Sequence, residues 1–370
     1  MPEVKTNTST YESKALQASI SKEVILAYAG PNPFLAKLKQ KGGITIRSTT
    51  REKVVKDFGK PTTTNVGARS EQDTQIQVAT GDGIMFTTGA LVLVSSTGEQ
   101  MLVVGVNGDT LTVARGYGET PAQAIDDGAL LVFLGIAYSE GASDPVVVAP
   151  KAIKTQNLTQ IFRTKVVLTG SEEEVDAVDT EWKLRKQEGL IEHLGEIERQ
   201  LLFGDMKDDV ERQKRTMKGI KNFIKTNVVD LGGSITAKKI ADAVIATAKR
   251  NAGKKVLFAS SELMTAIEAI AQDAIRVEPG SKEFGATVAR WLVGSKDVEI
   301  IHNPVIDEAG FAGYGILVDM KNVNYCHLGN RDTKFIEYDR YGFDGRQGEY
   351  LTECTLEMGD ESTHAIIFNP

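Results

Sequence analysis

The chain has 370 residues, 41% hydrophobic and 25% charged, with a formal net charge of −7. That is a globular composition, long enough for one large or two to three ordinary domains. It excludes a membrane span, because no stretch approaches ~18 apolar residues, and it excludes a dedicated, strongly basic nucleic-acid binder.

The two cysteines, Cys326 and Cys354, lie far apart and outside any CxxC spacing. A cysteine-rich zinc site is thereby ruled out, and nothing suggests a disulfide. The opening residues, MPEVKTNTSTYESKALQ, lack the apolar core of a secretory signal. The expectation is a soluble protein made in the cytosol.

Charge is spread unevenly. Residues 1–75 hold 12 Lys/Arg against 7 Asp/Glu, whereas residues 171–205 hold 11 acids and 4 bases. A basic arm and an acidic helix in one chain can pair between copies of the protein. Taken from charge alone, two independently solvated faces are the simpler account.

In chain order, residues 1–43 read as an N-terminal arm. A short amphipathic piece (Val24, Ile25, Leu26) is interrupted at Pro31-Asn32-Pro33. Phe34, Leu35 and Leu38 then restart an apolar face that ends at Gly42-Gly43. Residues 44–75 are strand-prone but poor in apolar groups, so they cannot build a core of their own. Residues 76–136 carry short strand-like runs, IQVAT, IMFTTG, ALVLVSS, QMLVVGV, TLTVARG and ALLVFLG, separated by Gly-Asp-Gly, Asn-Gly-Asp and Asp-Asp-Gly turns. This block has no lysine and one arginine, Arg115. It predicts a separate small β-barrel-like or sandwich domain inserted into the chain. Residues 137–170 return to extended character.

Ser171-Glu172-Glu173-Glu174 has the form of a capping box that opens a helix. Behind it Val178, Trp182, Leu190, Ile191, Leu194, Ile197, Leu201 and Leu202 recur mostly three or four apart, up to a stop at Gly204. From 172 to 203 this helix is about 48 Å long at ~1.5 Å per residue. Gly189 and Gly195 mark a bend or close packing within it. Residues 230–325 read as α/β: a helix at about 235–251, the strand KVLFAS, a helix from Ser260 or Ser261, then VEIIH, GILVDM and VNYCHL. The final stretches KFIEYDRYG, YLTECTLEMG and HAIIFNP are strand-like. The fold class is α+β.

The search for chemistry finds little. His193, His302, His327 and His364 are scattered and form neither HExxH nor HxH. The acids Glu172, Glu173, Glu174, Asp176, Asp179 and Glu181 lack the Gly-centred loop of a calcium site and suit a helix start instead. Asp205, Asp208 and Asp209 form a second weak cluster. No GxxxxGK[ST], GxGxxG or GxSxG frame occurs, and Ser19-Ile-Ser-Lys22 is an SxxK match without companion motifs. No catalytic residue, metal or cofactor is expected.

Residues 157–205, NLTQIFRTKVVLTGSEEEVDAVDTEWKLRKQEGLIEHLGEIERQLLFGD, resemble the major capsid proteins of tailed bacteriophages with the Hong Kong 97 capsid fold. In a subfamily with a small β-domain inserted upstream of the long helix, a return strand ends in a TG or SG turn. An acidic helix start follows, and the helix closes on an E-R-x-L-L-x-G pattern. Residues 86–120 are similar to that inserted domain, and residues 298–370 to the closing strands. The resemblance implies the following organisation. Residues 1–43 would be an N-terminal arm, 44–75 with 137–170 a two-stranded E-loop, and 76–136 the inserted domain. Residues 171–229 with 326–370 would be the peripheral domain around a spine helix 172–203, and 230–325 the axial domain.

It also implies a virion capsid protein that assembles with itself, as hexamers and pentamers, into an icosahedral shell around double-stranded DNA. No membrane is involved and the DNA is not read by sequence. Scaffolding, portal and decoration proteins are candidate separate partners. Arg47, Arg51, Lys53, Lys56 and Lys60 of the E-loop are expected to meet acids of the spine, Glu174, Glu181 and Glu188, across subunits. The alternatives are another phage structural part, tail tube or adaptor, or an α/β enzyme that binds a small molecule.

Overall fold

The computed structural model describes residues 32–57, 61–140, 151–173, 182–248, 254–274, 288–293, 296–338 and 342–369. Two units divide the chain, one of Met1–Val55 with Lys154–Pro370 and one of Lys56–Ile153.

The first unit is built on one long strand, Gly345–Met358. Gln160–Thr169 pairs antiparallel along one side of it. On its other side Lys334–Glu337 pairs with the first half and Val323–Leu328 with the second. Ile44–Ile46 extends this sheet in parallel. The helix Trp182–Phe203 lies on the sheet, and its buried Leu190, Leu194, Ile197 and Leu201 follow the helical period. They share one core with Phe162, Val166 and Leu168 of the sheet. The described part of this helix, 22 residues, is about 33 Å long. Gly170–Glu173 is helical as well. The acidic start at 174–181, with Glu174 and Glu181, lies outside the described residues, as do residues 1–31.

Gly189 marks close packing. A Cβ there would stand 2.6 Å from Val166 Cγ2, and Val166 is a stiff side chain inside a strand. Gly195 meets only the flexible end of Arg199, at 3.4 Å.

The same unit contains a second sheet of six strands. Their order is Val228–Asp230, Ala365–Phe368, Gly315–Asp319, Lys255–Ala259, Lys296–His302 and Val288–Val293. Helices Ala237–Ala248 and Ser261–Ala274 contribute to its core.

Three expectations are corrected here. The helix Pro33–Lys41 is no loose arm, since Phe34, Leu35 and Leu38 are buried in the main core. The last strand, Ala365–Phe368, does not join the sheet of the long helix but pairs within the α/β sheet. Its run Ala-Ile-Ile needs cover on both faces, which only an interior position supplies. Conversely Val323–Leu328, placed by sequence at the end of the α/β region, belongs to the sheet of Gly345–Met358.

Pro33–Lys41 also has an unusual start. The Asn32 side chain makes no cap bond, and its amide nitrogen and oxygen are buried without partners. Instead the fully buried Glu198 of the long helix accepts Phe34 N–H at 3.0 Å and Leu35 N–H at 2.7 Å. Asn303 Nδ2 donates to the same carboxylate at 2.8 Å. A carboxylate from 164 residues away caps the helix. Burial pushes the Glu198 pKa up to about 7, against the lowering effect of these bonds.

The second unit is a six-stranded sheet. Its order is Thr62–Thr64, Leu130–Ile136, Ala90–Val94, Gln100–Asn107, Thr110–Ala114 and Gln75–Gln77. Its two edges meet through an Asn65–Val78 bridge, with Ala79 N–H bonded to Thr64 O at 3.0 Å and Val66 N–H to Gln77 O at 2.8 Å. The sheet therefore closes into a barrel around Ile76, Val92, Met101, Val103, Leu111 and Leu131. Buried Glu99, bonded to Arg115 at 2.8 Å, ties two of its turns together.

Residues 61–75 belong to this barrel rather than to an extended arm, because Thr62–Thr64 pairs with Leu130–Val132. The run IMFTTG is also no strand. Asp109 accepts the N–H groups of Gly81 and Gly83, the chain turns through Gly83–Met85, and Phe86 drops into the core.

Gly189→Ala should lower stability by about 1–3 kcal/mol through overpacking, despite a helix-propensity gain of about 1 kcal/mol. Gly195→Ala should show only that gain, and urea midpoints compare the two. The raised Glu198 pKa favours the protonated folded form. Its contribution is therefore present below pH 4.5 and is lost as pH rises through about 7. Melting midpoints of Glu198→Gln and the parent chain should diverge in the variant's favour between pH 5 and pH 8.

Candidate functional site

A β-strand shows alternate side chains to opposite faces. Along Gly345–Met358 the even positions Tyr350, Cys354, Leu356 and Met358 enter the hydrophobic core. The odd positions carry Glu349, Glu353 and Glu357, four residues apart on the other face. Glu353 and Glu357 are each 2% exposed. Such carboxylates stay charged inside a protein only when partners replace the lost water.

Those partners come from distant parts of the chain. Arg163 grips Glu349 with two nitrogens, its Nη2 2.6 Å from Oε2. Glu353 accepts Thr159 Oγ1 at 2.9 Å, and Arg215 Nη2 and Arg331 Nε lie 3.3 Å and 2.9 Å from its oxygens. Glu357 is bonded to Arg51, to Lys53 Nζ at 3.0 Å and to Asn324 Nδ2 at 2.9 Å. Burial opposes its charge, but the bonds from Asn324, Lys53 and Arg51 outweigh burial and leave its pKa below the ordinary carboxylate value.

Arg51 and Lys53 lie on Thr50–Asp57, which pairs with Lys151–Leu158 as a two-stranded ribbon. Thr155 Oγ1 bonds to Met358 O at 2.6 Å and Asn157 Nδ2 to Leu356 O at 2.9 Å. Both strands of the ribbon are thus rooted on the glutamate-bearing strand.

Of the residues singled out from sequence, Arg51 and Lys53 come together at Glu357 of their own chain. Arg47 is exposed on the bend before the ribbon. Glu188 pairs with Arg185 one helical turn away at 3.1 Å. Lys60, Glu174 and Glu181 lie outside the described residues, and so does the side chain of Lys56. Sequence reading passed over Glu349, Glu353 and Glu357. Their spacing of four inside a run that otherwise alternates with core residues was the available signal.

The histidines have structural surroundings. His193 is buried between Thr164 Oγ1 at 2.9 Å and Thr352 Oγ1 at 2.7 Å, and burial pushes its pKa down to about 4. Ser261, His302 and Asp307 lie together, yet Ser261 Oγ and Asp307 Oδ2 both approach the same ring nitrogen, at 3.0 and 2.8 Å. A nucleophilic triad needs the nucleophile and the orienting acid on opposite nitrogens of the histidine base. Asp307 instead accepts Ser261 N–H at 2.9 Å and caps the helix that starts there. The two cysteines are buried, and the strand register sets them on opposite faces of their sheet, Cys326 facing with Thr355 and Cys354 with His327.

Residues 4–370 match the family model of the SU10 major capsid protein. The major capsid protein of Pseudomonas phage PaMx41 is 23% identical over 371 residues, covering 91% of this chain and 88% of that protein. Among solved structures, the capsid of a native GTA particle aligns over 90% of this chain and 89% of that one, at 8% identity and a TM-score of 0.51. A structure from Mycobacterium phage Patience aligns over 100% of this chain and 94% of that one at 11% identity, with a TM-score of 0.45. The α+β architecture is that of HK97-like phage capsids. The family match runs along nearly the whole chain, and the chain belongs to the SU10 major capsid protein family, whose role is to form the shell of the phage head.

Proposed function

We propose that the ribbon formed by Thr50–Asp57 and Lys151–Leu158 is the arm that a subunit lays over its neighbour. The subunits so linked form the hexamers and pentamers of an icosahedral shell. The observation that carries this reading is the clamp at its root, where Glu357 holds Arg51 and Lys53 while Thr155 and Asn157 bond to the same strand. A polar two-stranded ribbon is marginal by itself in water, so a fixed root gives it a defined direction before it finds a partner.

In this reading the remaining E-loop cations, Arg47, Lys56 and Lys60, meet the acidic start of the long helix of the next subunit, including Glu174 and Glu181. Glu188 is a further acid on that helix. Single exposed pairs contribute only ~0–1 kcal/mol, but a shell repeats each contact at every subunit. The chain performs no catalysis, is made in the host cytoplasm, and encloses double-stranded DNA without reading its sequence. Portal, decoration and separate scaffolding proteins are its expected partners.

Purified chain should give capsomers or closed particles by size-exclusion chromatography and negative-stain microscopy, whereas a lone monomer at high concentration contradicts the reading. Reversing Arg47, Lys56 and Lys60 to Glu should block particles while the circular dichroism of the subunit stays unchanged. Particles of normal yield would sink the proposed charge pairing. Removing the root cations in an Arg51→Met/Lys53→Met pair strands a buried carboxylate and should cost about 3 kcal/mol or more. Glu357→Gln should cost less, because it leaves only half-exposed cations that water can solvate. Chemical denaturation measures both.

A further inference from the structure

The barrel Lys56–Ile153 has an outer surface of two kinds. On Thr110–Ala114, Gln75–Gln77 and Thr62–Thr64 the outward residues include Thr112, Gln75, Gln77 and Thr64, as expected of a solvated strand. On the three consecutive strands Leu130–Ile136, Ala90–Val94 and Gln100–Asn107 most of the outward residues are aliphatic, with Gln100 opposite Leu93 at one end. Leu93 stands directly opposite Val132, and Leu91 opposite Leu102. Leu130 and Leu134 are 43% and 50% exposed, and Val104 is 50% exposed.

Two β-bulges enlarge this face. The register between Gln100–Asn107 and Thr110–Ala114 shifts between Val103 and Gly105. The register between Ala90–Val94 and Leu130–Ile136 skips from Phe133 to Gly135. The unpaired residues are Val104 and Leu134, both half exposed. A bulge re-aims a side chain, and here each one presents an extra aliphatic group to water. Two such placements, on the strands either side of Ala90–Val94, mark a contact surface.

We propose that this aliphatic face is an interface between copies of the chain, formed when the shell assembles. The size of the face identifies the occupant. Its side chains offer a few hundred Å², against about 800 Å² per partner in a stable solution complex. A face this small holds a partner only where other contacts already bring the partner close. In a shell of repeated subunits the neighbouring copy is present at every position. Charge adds to the argument: from 61 to 140 the unit carries nine Asp/Glu and two Arg. This makes packaged DNA an unfavourable neighbour for the unit and leaves apolar contact as its route to association.

Two variants test the assignment, Val104→Asp and Leu134→Asp, each at an outward position where the barrel core is untouched. Each should leave the melting midpoint of the free subunit unchanged and lower the yield of shells by roughly tenfold. Leu134→Cys gives an independent readout with a maleimide probe, because Cys326 and Cys354 are buried. The new thiol should react fast in free subunits. It should react at least about tenfold more slowly in shells that mass spectrometry shows to contain this one protein.

Unimpaired assembly of both aspartate variants, together with equal labelling in subunits and shells, overturns the proposal and leaves the face for a separate decoration protein. Slow labelling already in free subunits overturns it as well, since the chain itself would then cover the face.

Discussion

A row of carboxylates on one strand governs how the subunit holds its extended parts. Gly345–Met358 faces the hydrophobic core with its even residues and carries Glu349, Glu353 and Glu357 on its odd ones. Water cannot reach the last two, so their charges depend on Arg51, Lys53, Arg215 and Arg331. These cations belong to a ribbon strand, a surface hairpin and a turn, which share few apolar contacts with the core. The desolvation cost of a buried glutamate thereby becomes a positional constraint on loops. Glu198 applies the same rule at a backbone, fixing the start of Pro33–Lys41 by taking two of its free N–H groups.

This device suits a shell protein. A subunit whose contact segments are held by hydrophobic burial would hide the surfaces it needs for neighbours. One whose segments hang free would lose conformational entropy in ordering them at each contact. Charge anchors at the roots fix a segment's origin and leave its length for a partner. The closed barrel follows a different logic. Its core is sealed and its edges are bridged, so it offers a partner the outside of a finished sheet rather than an open strand edge.

Much of this was legible in the sequence wherever a period or a turn residue decides the structure. The 3–4 spacing of Leu190, Leu194, Ile197 and Leu201, with Gly204 behind it, located the long helix and its end. The strands of the α/β region, such as Lys255–Ala259 and Gly315–Asp319, stood out as short continuous apolar runs. The lysine-free block from 76 to 136 announced a body of different chemistry. What escaped depended on contacts distant in sequence. Nothing near Asn32 indicates that Glu198 caps the following helix. The run IMFTTG has strand-like composition, but Asp109 holds Gly81 and Gly83 just before it, and the chain turns through Gly83–Met85. The partner of Ala365–Phe368 could not be read because an apolar strand does not specify which sheet buries it. The glutamate row was visible as a spacing, yet its meaning required the cations that meet it.

The central claim is that the roots of the ribbon are ordered by the carboxylate row before any neighbour arrives. Amide hydrogen exchange on free, unassembled subunits tests it most directly. Residues 50–55 and 154–158 are predicted to exchange slowly, close to the rate of Gly345–Met358 itself. Rapid exchange of those roots in free subunits, with protection appearing only in shells, would contradict the account.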